Sequence, residues 1–320
     1  MELDLLLDNL TNPALLFFFL GILAVQLKSD LQIPENSSKF ISLYLLFSIG
    51  FKGGQELAHS DWGGEIYWSM VLGLIFSILV PLYTYFILRK RTGSANAGAI
   101  AASYGSVSAV TFVTSISFLE INHEAYGGHM VAVMALMEAP AIIMGILLLN
   151  SMKGTEKTEV SMPKLVGHSL TNGSVLLILG SLVIGFMATP EQAQGIKPFT
   201  TDLFKGFLAI FLLDMGITSG RKLKTLTEFG AFPFLFAVVI PVINGILTVM
   251  VSGLFLESAG NRFLLAILVA SASYIAVPAA MKIAVPKANP GLFIPMALAI
   301  TFPFNITLGM PIYWYLTTLT

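Results

Sequence analysis

Long apolar runs divided by short charged joints organise this chain. At roughly 20 apolar residues per membrane crossing, they predict helical spans near residues 12–27, 37–54, 67–88, 94–118, 127–150, 166–188, 200–220, 230–255, 261–285 and 291–316. The second five spans echo the first five. Thr11-Asn12 opens a run reaching Glu35 through Gly21 and Pro34, and Thr171-Asn172 opens another reaching Glu191 through Gly180 and Pro190. Farther on, Leu46-Phe47-Ser48-Ile49-Gly50 answers Leu212-Leu213-Asp214-Met215-Gly216, Pro81 answers Pro241, Ala102-Ser103 answers Ala270-Ser271, and Pro140 answers Pro303, always about 160 to 168 residues apart. A duplicated hydrophobic half marks secondary transporters, whose sites form where the repeats meet at the bilayer midplane. An odd number of crossings per repeat brings the second half in from the opposite side. The expected fold is an all-α integral membrane protein of ten transmembrane helices in two inverted five-helix repeats, residues 1–150 and 166–320, joined by a polar cytoplasmic linker over 151–165.

Composition agrees with a membrane solvent: 56% of residues are hydrophobic and 11% charged, with a mean hydropathy of +0.83, against roughly 25% charged in soluble domains. The net charge of −1 offers no basic surface for nucleic acid. With no cysteine, disulfides and thiolate chemistry are excluded. Met1-Glu2-Leu3-Asp4 lacks the basic start of a cleaved signal, so the first apolar run is expected to remain in the protein. On the positive-inside rule, Arg89-Lys90-Arg91, Lys153, Lys157, Lys164, Arg221, Lys222, Lys224, Lys282, Lys287, Lys28 and Lys39 share the cytoplasmic side, 13 of 17 basic residues. Both termini are then external.

Two spans carry interruptions. Ala101-Ala102-Ser103-Tyr104-Gly105-Ser106-Val107-Ser108 crowds small and hydroxyl residues into the middle of one crossing, and Ser271-Ala272-Ser273-Tyr274 followed by Ala276-Val277-Pro278 does so at the matching position of the other repeat. Such residues in one membrane helix can serve packing alone; their recurrence in both repeats favours paired broken helices and a site. Pro278 is expected to begin a half-helix, where its missing N–H is no loss. Unwound backbone persists at this depth only inside protein or beside a watery cavity, and the positive starts of half-helices attract anions. The two broken helices are expected to cross at the midplane, with Tyr104, Gly105, Ser106, Ser108, Ser271, Ser273 and Tyr274 as substrate-binding candidates.

Two acids fall inside spans, Glu138 in Met137-Glu138-Ala139-Pro140 and Asp214 in Leu213-Asp214-Met215-Gly216. Unpaired at a helix centre, each costs roughly 2.5–3.5 kcal/mol. Both are candidates to couple a cation or proton to transport, the bland alternative being a hydrogen bond that pins helices. Glu138 is the candidate sodium ligand: a helix start at Pro140 would free nearby carbonyls, and Thr301 and Asn305 from the other repeat would add oxygens. The histidines stand alone, and no Walker, Gly-x-Ser-x-Gly or His-Glu-x-x-His pattern occurs. No enzyme is expected, and no cofactor beyond a sodium ion as coupling ion.

In Gly105-Ser106-Val107-Ser108 with Thr111 and Leu119-Glu120, in Met137-Glu138-Ala139-Pro140-Ala141, in Ala270-Ser271-Ala272-Ser273 with Pro278, and in Pro286-Lys287-Ala288-Asn289-Pro290, the chain resembles the sodium-dependent bicarbonate transporter family of cyanobacteria and their bacterial relatives. The resemblance implies a gate domain of spans 1, 2, 6 and 7, a core domain of spans 3–5 and 8–10, elevator-like motion, a homotrimer, and bicarbonate carried inward with sodium. It implies that Gly105, Ser106, Ser108 and Thr111 face the anion or its cation from one side, and Ser271 and Ser273 from the other. After its serines the family shows Asp-Ile-Ser-Gly-Pro-Pro, where this chain has Tyr274-Ile275-Ala276-Val277-Pro278-Ala279. Glu138 stands where the family has Asp, and Asp214 has no counterpart. The family also has a longer central linker and a soluble regulatory partner of the PII type.

These readings lead to a transporter of a small anion in a bacterial cytoplasmic membrane, bicarbonate by sodium symport first. A small carboxylate carried with sodium or protons is the second expectation, with the Tyr274 phenol closing the pocket. A transport-inactive membrane sensor or interaction protein is the alternative of another class.

Overall fold

A computed structural model of the chain describes residues 3–60, 62–150, 167 and 171–320; the linker expected over 151–165, with Lys153, Lys157 and Lys164, and His168 lie outside the described residues. All regular structure among the described residues is helical: α1 Leu3–Leu10, α2 Pro13–Gln26, α3 Glu35–Ala58, α4 Gly64–Thr92, α5 Ser94–Gly105, α6 Ala109–Ile121, α7 His129–Asn150, α8 Gly173–Met187, α9 Pro190–Lys197, α10 Phe204–Leu226, α11 Ala231–Ser252, α12 Ala259–Ala270, α13 Ala276–Ala284 and α14 Pro290–Leu319. Among the described residues six stretches are long and apolar enough to cross a membrane: Gly64–Thr92, Ser94–Ile121, His129–Asn150, Pro190–Leu223, Ala231–Ser252 and Pro290–Leu319. Pro13–Gln26, Gly173–Met187 and Ala259–Ala270 are shorter apolar helices. α3 is 24 residues long and carries Glu35, Lys39, Lys52 and Glu56. α1 precedes the first expected span, and the Asn9 amide ties it to α14 by donating to the carbonyls of Ile306 and Thr307, both at 3.0 Å.

Local chemistry sets the helix starts. The side chains of Asn12 and Asn172 accept from the backbone N–H of Ala14 and Ser174, so both echoing Thr-Asn pairs are N-caps. Asn289 does the same for α14, with Pro290 at its first position. That explains the Ala288-Asn289-Pro290 string.

Two close helix crossings join the halves. Helix α2 packs along α10 and α3 along α8. At Gly21 a Cβ would strike the backbone of Leu213 and Ile217, and at Gly216 that of Phe18; Gly54 and Gly185 exclude one in the same way against Leu182 and Phe51. Small residues here let helix backbones approach as membrane packing requires. Gly50 packs on Ser181, the neighbour of Gly180, and Gly180 itself meets nothing within 4 Å. The sequence echo pairs Gly21 with Gly180, whereas the contact on Gly50 is made by Ser181, one residue farther along.

The remaining helices form a second group. Helices α4, α5 and α7 pack on one another, α12 lies against α11 and α14, and α6 meets α12 while α13 meets α5. Proline placement differs from expectation at one point: Pro140 lies inside a continuous α7 and begins no helix. The last helix widens into π turns at Met296–Thr301 and Asn305–Gly309, beside Pro295, Pro303 and Pro311, where proline removes regular donors.

Candidate functional site

Both interruptions expected from the sequence are breaks in the backbone. Helix α5 stops at Gly105, Ser106 to Ser108 are unwound, and α6 starts at Ala109 with the Ser108 hydroxyl accepting from the Thr111 N–H at 3.2 Å. Helix α12 stops at Ala270 and α13 starts at Ala276. Pro278 is therefore the third residue of its half-helix, not the first. It remains within the first turn, whose N–H groups have no helical acceptor, so the proline still removes no bond.

The breaks cross and hold each other. The backbone N–H of Ser273 donates to the carbonyl of Ser103 at 2.8 Å, and the Ser103 hydroxyl donates to the carbonyl of Ser273 at 2.5 Å. The Ser108 N–H donates to the Ser271 hydroxyl at 2.9 Å, which itself donates to the Leu268 carbonyl at 2.8 Å. Gly105 is required because the ring of Pro81 fills the space of a Cβ.

Carbonyls released at the second break are taken by amide side chains. Asn305 donates to Ala270 O at 2.9 Å and Asn244 to Val269 O at 3.2 Å. Pro241, inside α11, leaves Ala237 without its helical donor; the Thr301 hydroxyl supplies one at 2.7 Å and accepts in turn from the Tyr104 phenol at 2.8 Å. Tyr104, Thr301 and Asn305 are thus joined in a buried scaffold behind the crossing. The hydroxyls of Ser106 and Thr111, each 1% exposed, have no hydrogen-bond partner among the described residues.

A pocket of about 630 Å³, its mouth included, lies in front of the breaks. Its polar lining is Ser108, Ser273, Tyr274, Glu138, Ser42 and Ser174; its walls include Leu45, Leu46, Val110, Val113, Ile178 and Phe211. The starts of α6 and α13, marked by Ser108 and by Ala276, both border it. Glu138 forms no hydrogen bond or ion pair with a described residue. The Tyr274 hydroxyl lies beside Ser108 and points to the Met215 sulfur at 4.0 Å.

A larger vestibule continues from this pocket, sharing Ser42, Ser174, Phe211, Tyr274 and Ile275 and extending past Ser38, Lys39, Asp214 and Arg221. Asp214 accepts from the Ser38 hydroxyl, linking α10 to α3. Away from the vestibule residues, Lys52 of α3 pairs with Glu120 of α6 at 2.6 Å, and Gly128 presses on the backbone of Gly53. Tyr126, between α6 and α7, has its phenol held above the usual range by burial and by the Glu120 and Glu56 carboxylates.

Of the residues chosen from sequence, the pocket collects Ser108, Ser273, Tyr274 and Glu138. Asp214 lies in the vestibule, and Tyr104, Gly105, Ser106, Thr111, Ser271, Thr301 and Asn305 line neither. The sequence reading missed Ser42, Ser174 and Phe211, contributed by α3, α8 and α10. The signal for the first two was a hydroxyl within a predicted span.

The family described as the Na+-dependent bicarbonate transporter superfamily matches residues 13–318. No curated protein matches the chain.

Proposed function

The chain belongs to the Na+-dependent bicarbonate transporter superfamily, and from that premise we propose that it is a secondary active symporter moving a small monovalent anion with sodium across a bacterial cytoplasmic membrane. Bicarbonate is the anion that the family description supplies. The observation carrying this reading is the crossing of two broken helices whose starts border one pocket beside an unpartnered Glu138. Partial positive charge at the two starts favours an anion, and the carboxylate supplies the negative charge that a sodium ion needs.

Ten crossings in two inverted repeats are supported by the reciprocal contacts of α2 with α10 and α3 with α8, and by the matched asparagine caps. The same contacts support a gate domain of α2, α3, α8, α9 and α10 that a core domain slides against. The basic residues Lys39 and Arg221 at the vestibule face the cytoplasm on the positive-inside rule, which makes this an inward-open arrangement closed outside by Lys52 and Glu120. Motion of the core past the gate then exposes the same pocket to the other side, as alternating access requires.

The test is uptake of labelled bicarbonate into proteoliposomes under an imposed sodium gradient. A symporter accumulates the anion above its outside concentration. A sensor binds it and accumulates none, which would overturn the reading.

A further inference from the structure

We propose that the lateral groove between α3, α8 and the start of α13 holds one acyl chain of an anionic phospholipid, with the lipid phosphate on the Lys39 ammonium. Lys39, Leu43 and Phe47 form one wall, spaced four residues apart and so on one face of α3. Leu176, Leu177, Gly180 and Ile184 of α8 form the other, and Ile275 with Ala279 border the groove from the second broken helix. The two walls run in the same direction, since Gly50 meets Ser181 and Gly54 meets Leu182. Lys39, the Asn172 cap and Ser174 therefore gather at one end. Beyond them the lining is hydrocarbon apart from the buried Ser181. At 1.5 Å per residue the stretch from Lys39 to Phe47 covers roughly 12 Å and that from Asn172 to Ile184 roughly 18 Å. One leaflet of hydrocarbon is roughly 15 Å deep, half the bilayer core.

Two observations select a lipid as the occupant. At Gly50, Gly54, Gly185 and Gly216 a Cβ would strike a neighbouring helix, whereas at Gly180 it meets nothing within 4 Å. No protein contact keeps that position small, and a hydrocarbon chain lying over it does. Lys39 forms no hydrogen bond or ion pair with a described residue, and the Glu35 and Asp214 carboxylates border the vestibule but not the groove. A phosphate supplies the counter-charge, beside the partial positive charge at the start of α8. Lys39, Leu43, Ser174 and Ile275 also border the vestibule, so the groove is its lateral opening to the bilayer. On the transport reading above, on which this consequence alone rests, α3 and α8 belong to the gate and Ile275 to the core. A chain wedged between them holds the inward-open arrangement.

The test is native mass spectrometry of the full purified chain titrated with dioleoyl phosphatidylglycerol or dioleoyl phosphatidylethanolamine, for the parent, Lys39→Gln and Gly180→Leu. The parent should retain one lipid and prefer phosphatidylglycerol. In Lys39→Gln, at an exposed position, affinity for phosphatidylglycerol should fall about fivefold, the equivalent of about 1 kcal/mol per basic residue at a lipid surface. Gly180→Leu fills the groove without striking a described residue, so it should lose the lipid with its melting midpoint unchanged. Equal lipid retention by the parent and Gly180→Leu, or an unchanged phosphatidylglycerol affinity in Lys39→Gln, overturns the proposal. An oligomer formed by the parent and lost in Gly180→Leu, with lipid binding unaltered, makes the occupant a second copy of the chain and overturns it too. Bicarbonate accumulation is read separately, so the lipid site and the transport reading stand or fall independently.

Discussion

Ser103 and Ser273 each complete the other's backbone: the Ser273 N–H donates to Ser103 O at 2.8 Å, and the Ser103 hydroxyl donates to Ser273 O at 2.5 Å. One residue ends a turn of α5 and the other sits in the unwound segment before α13, 170 positions apart. Unwound backbone inside a membrane must find such partners or lose several kcal/mol per orphaned group. The pair therefore holds open a break that would otherwise be too costly. It does so with the residues Ala102-Ser103 supplies, one of the segments echoed in the second repeat.

Ser103→Ala leaves the buried Ser273 carbonyl without its hydroxyl donor. The expected loss is about 1–3 kcal/mol, read as a lowered midpoint in thermal unfolding of detergent-purified protein. An unchanged midpoint would show that the hydroxyl bond contributes nothing to the crossing.

Ser108 serves two ends, and two substitutions separate them. As the N-cap of α6 its loss in Ser108→Ala costs about 0.5–2 kcal/mol of stability, whereas Ser108→Gly costs a few tenths. Both remove the pocket hydroxyl, and both should weaken anion binding by about 1.5–3 kcal/mol if it bonds a charged group. The measurement is titration beside melting for each variant. Full affinity in Ser108→Gly would restrict the hydroxyl to capping.

Much of this architecture was legible in the sequence, for physical reasons that also explain the misses. The breaks were visible because a membrane helix tolerates a run such as Tyr104-Gly105-Ser106 only where something replaces the lost ladder. The packing of α2 on α10 was not read from the sequence, where Gly21 and Gly216 stood only as positions in the echoed segments, and at Gly180 the echoed position lies one residue from the contact that Ser181 makes. Thr301 and Asn305 were read as cation ligands because hydroxyls and amides carry suitable oxygens, and their hydrogens have a second task that the sequence did not show. Only the fold reveals that Pro241 and the end of α12 leave carbonyls at Ala237 and Ala270 for them to fill. Ser42 and Ser174 were missed because each is one of several serines in its helix, and nothing in the sequence marks which of them faces the pocket.

The vestibule makes an orientation test direct. Ser42→Cys, in a chain with no native cysteine, should react with a membrane-impermeant thiol reagent from the cytoplasmic face, and an anion in the pocket should slow the reaction. Labelling from outside alone would reverse the assigned sidedness.

The Lys52–Glu120 pair bridges α3 and α6 with both side chains about a quarter exposed. Such pairs are worth about 0–1 kcal/mol, so Lys52→Met should shift the balance toward the outward-open arrangement by up to about fivefold without unfolding the protein. The reading is the rate at which Ser117→Cys, which lines a small cavity beside Asn9 and Asn12, is labelled from outside. A rate equal to that of the parent would exclude the pair as a closure.

Coupling to sodium through Glu138 is the claim on which the account turns, because an unpartnered carboxylate in a membrane pocket is retained at a cost of roughly 2.5–3.5 kcal/mol. The deciding measurement is concentrative uptake of labelled anion into proteoliposomes, with an inward sodium gradient or with sodium replaced by potassium, for the parent and for Glu138→Gln. Sodium coupling through Glu138 predicts accumulation by the parent only with the sodium gradient, and in Glu138→Gln expression and folding retained but accumulation reduced to equilibration in either salt. Equal sodium-driven accumulation by the parent and Glu138→Gln would contradict it.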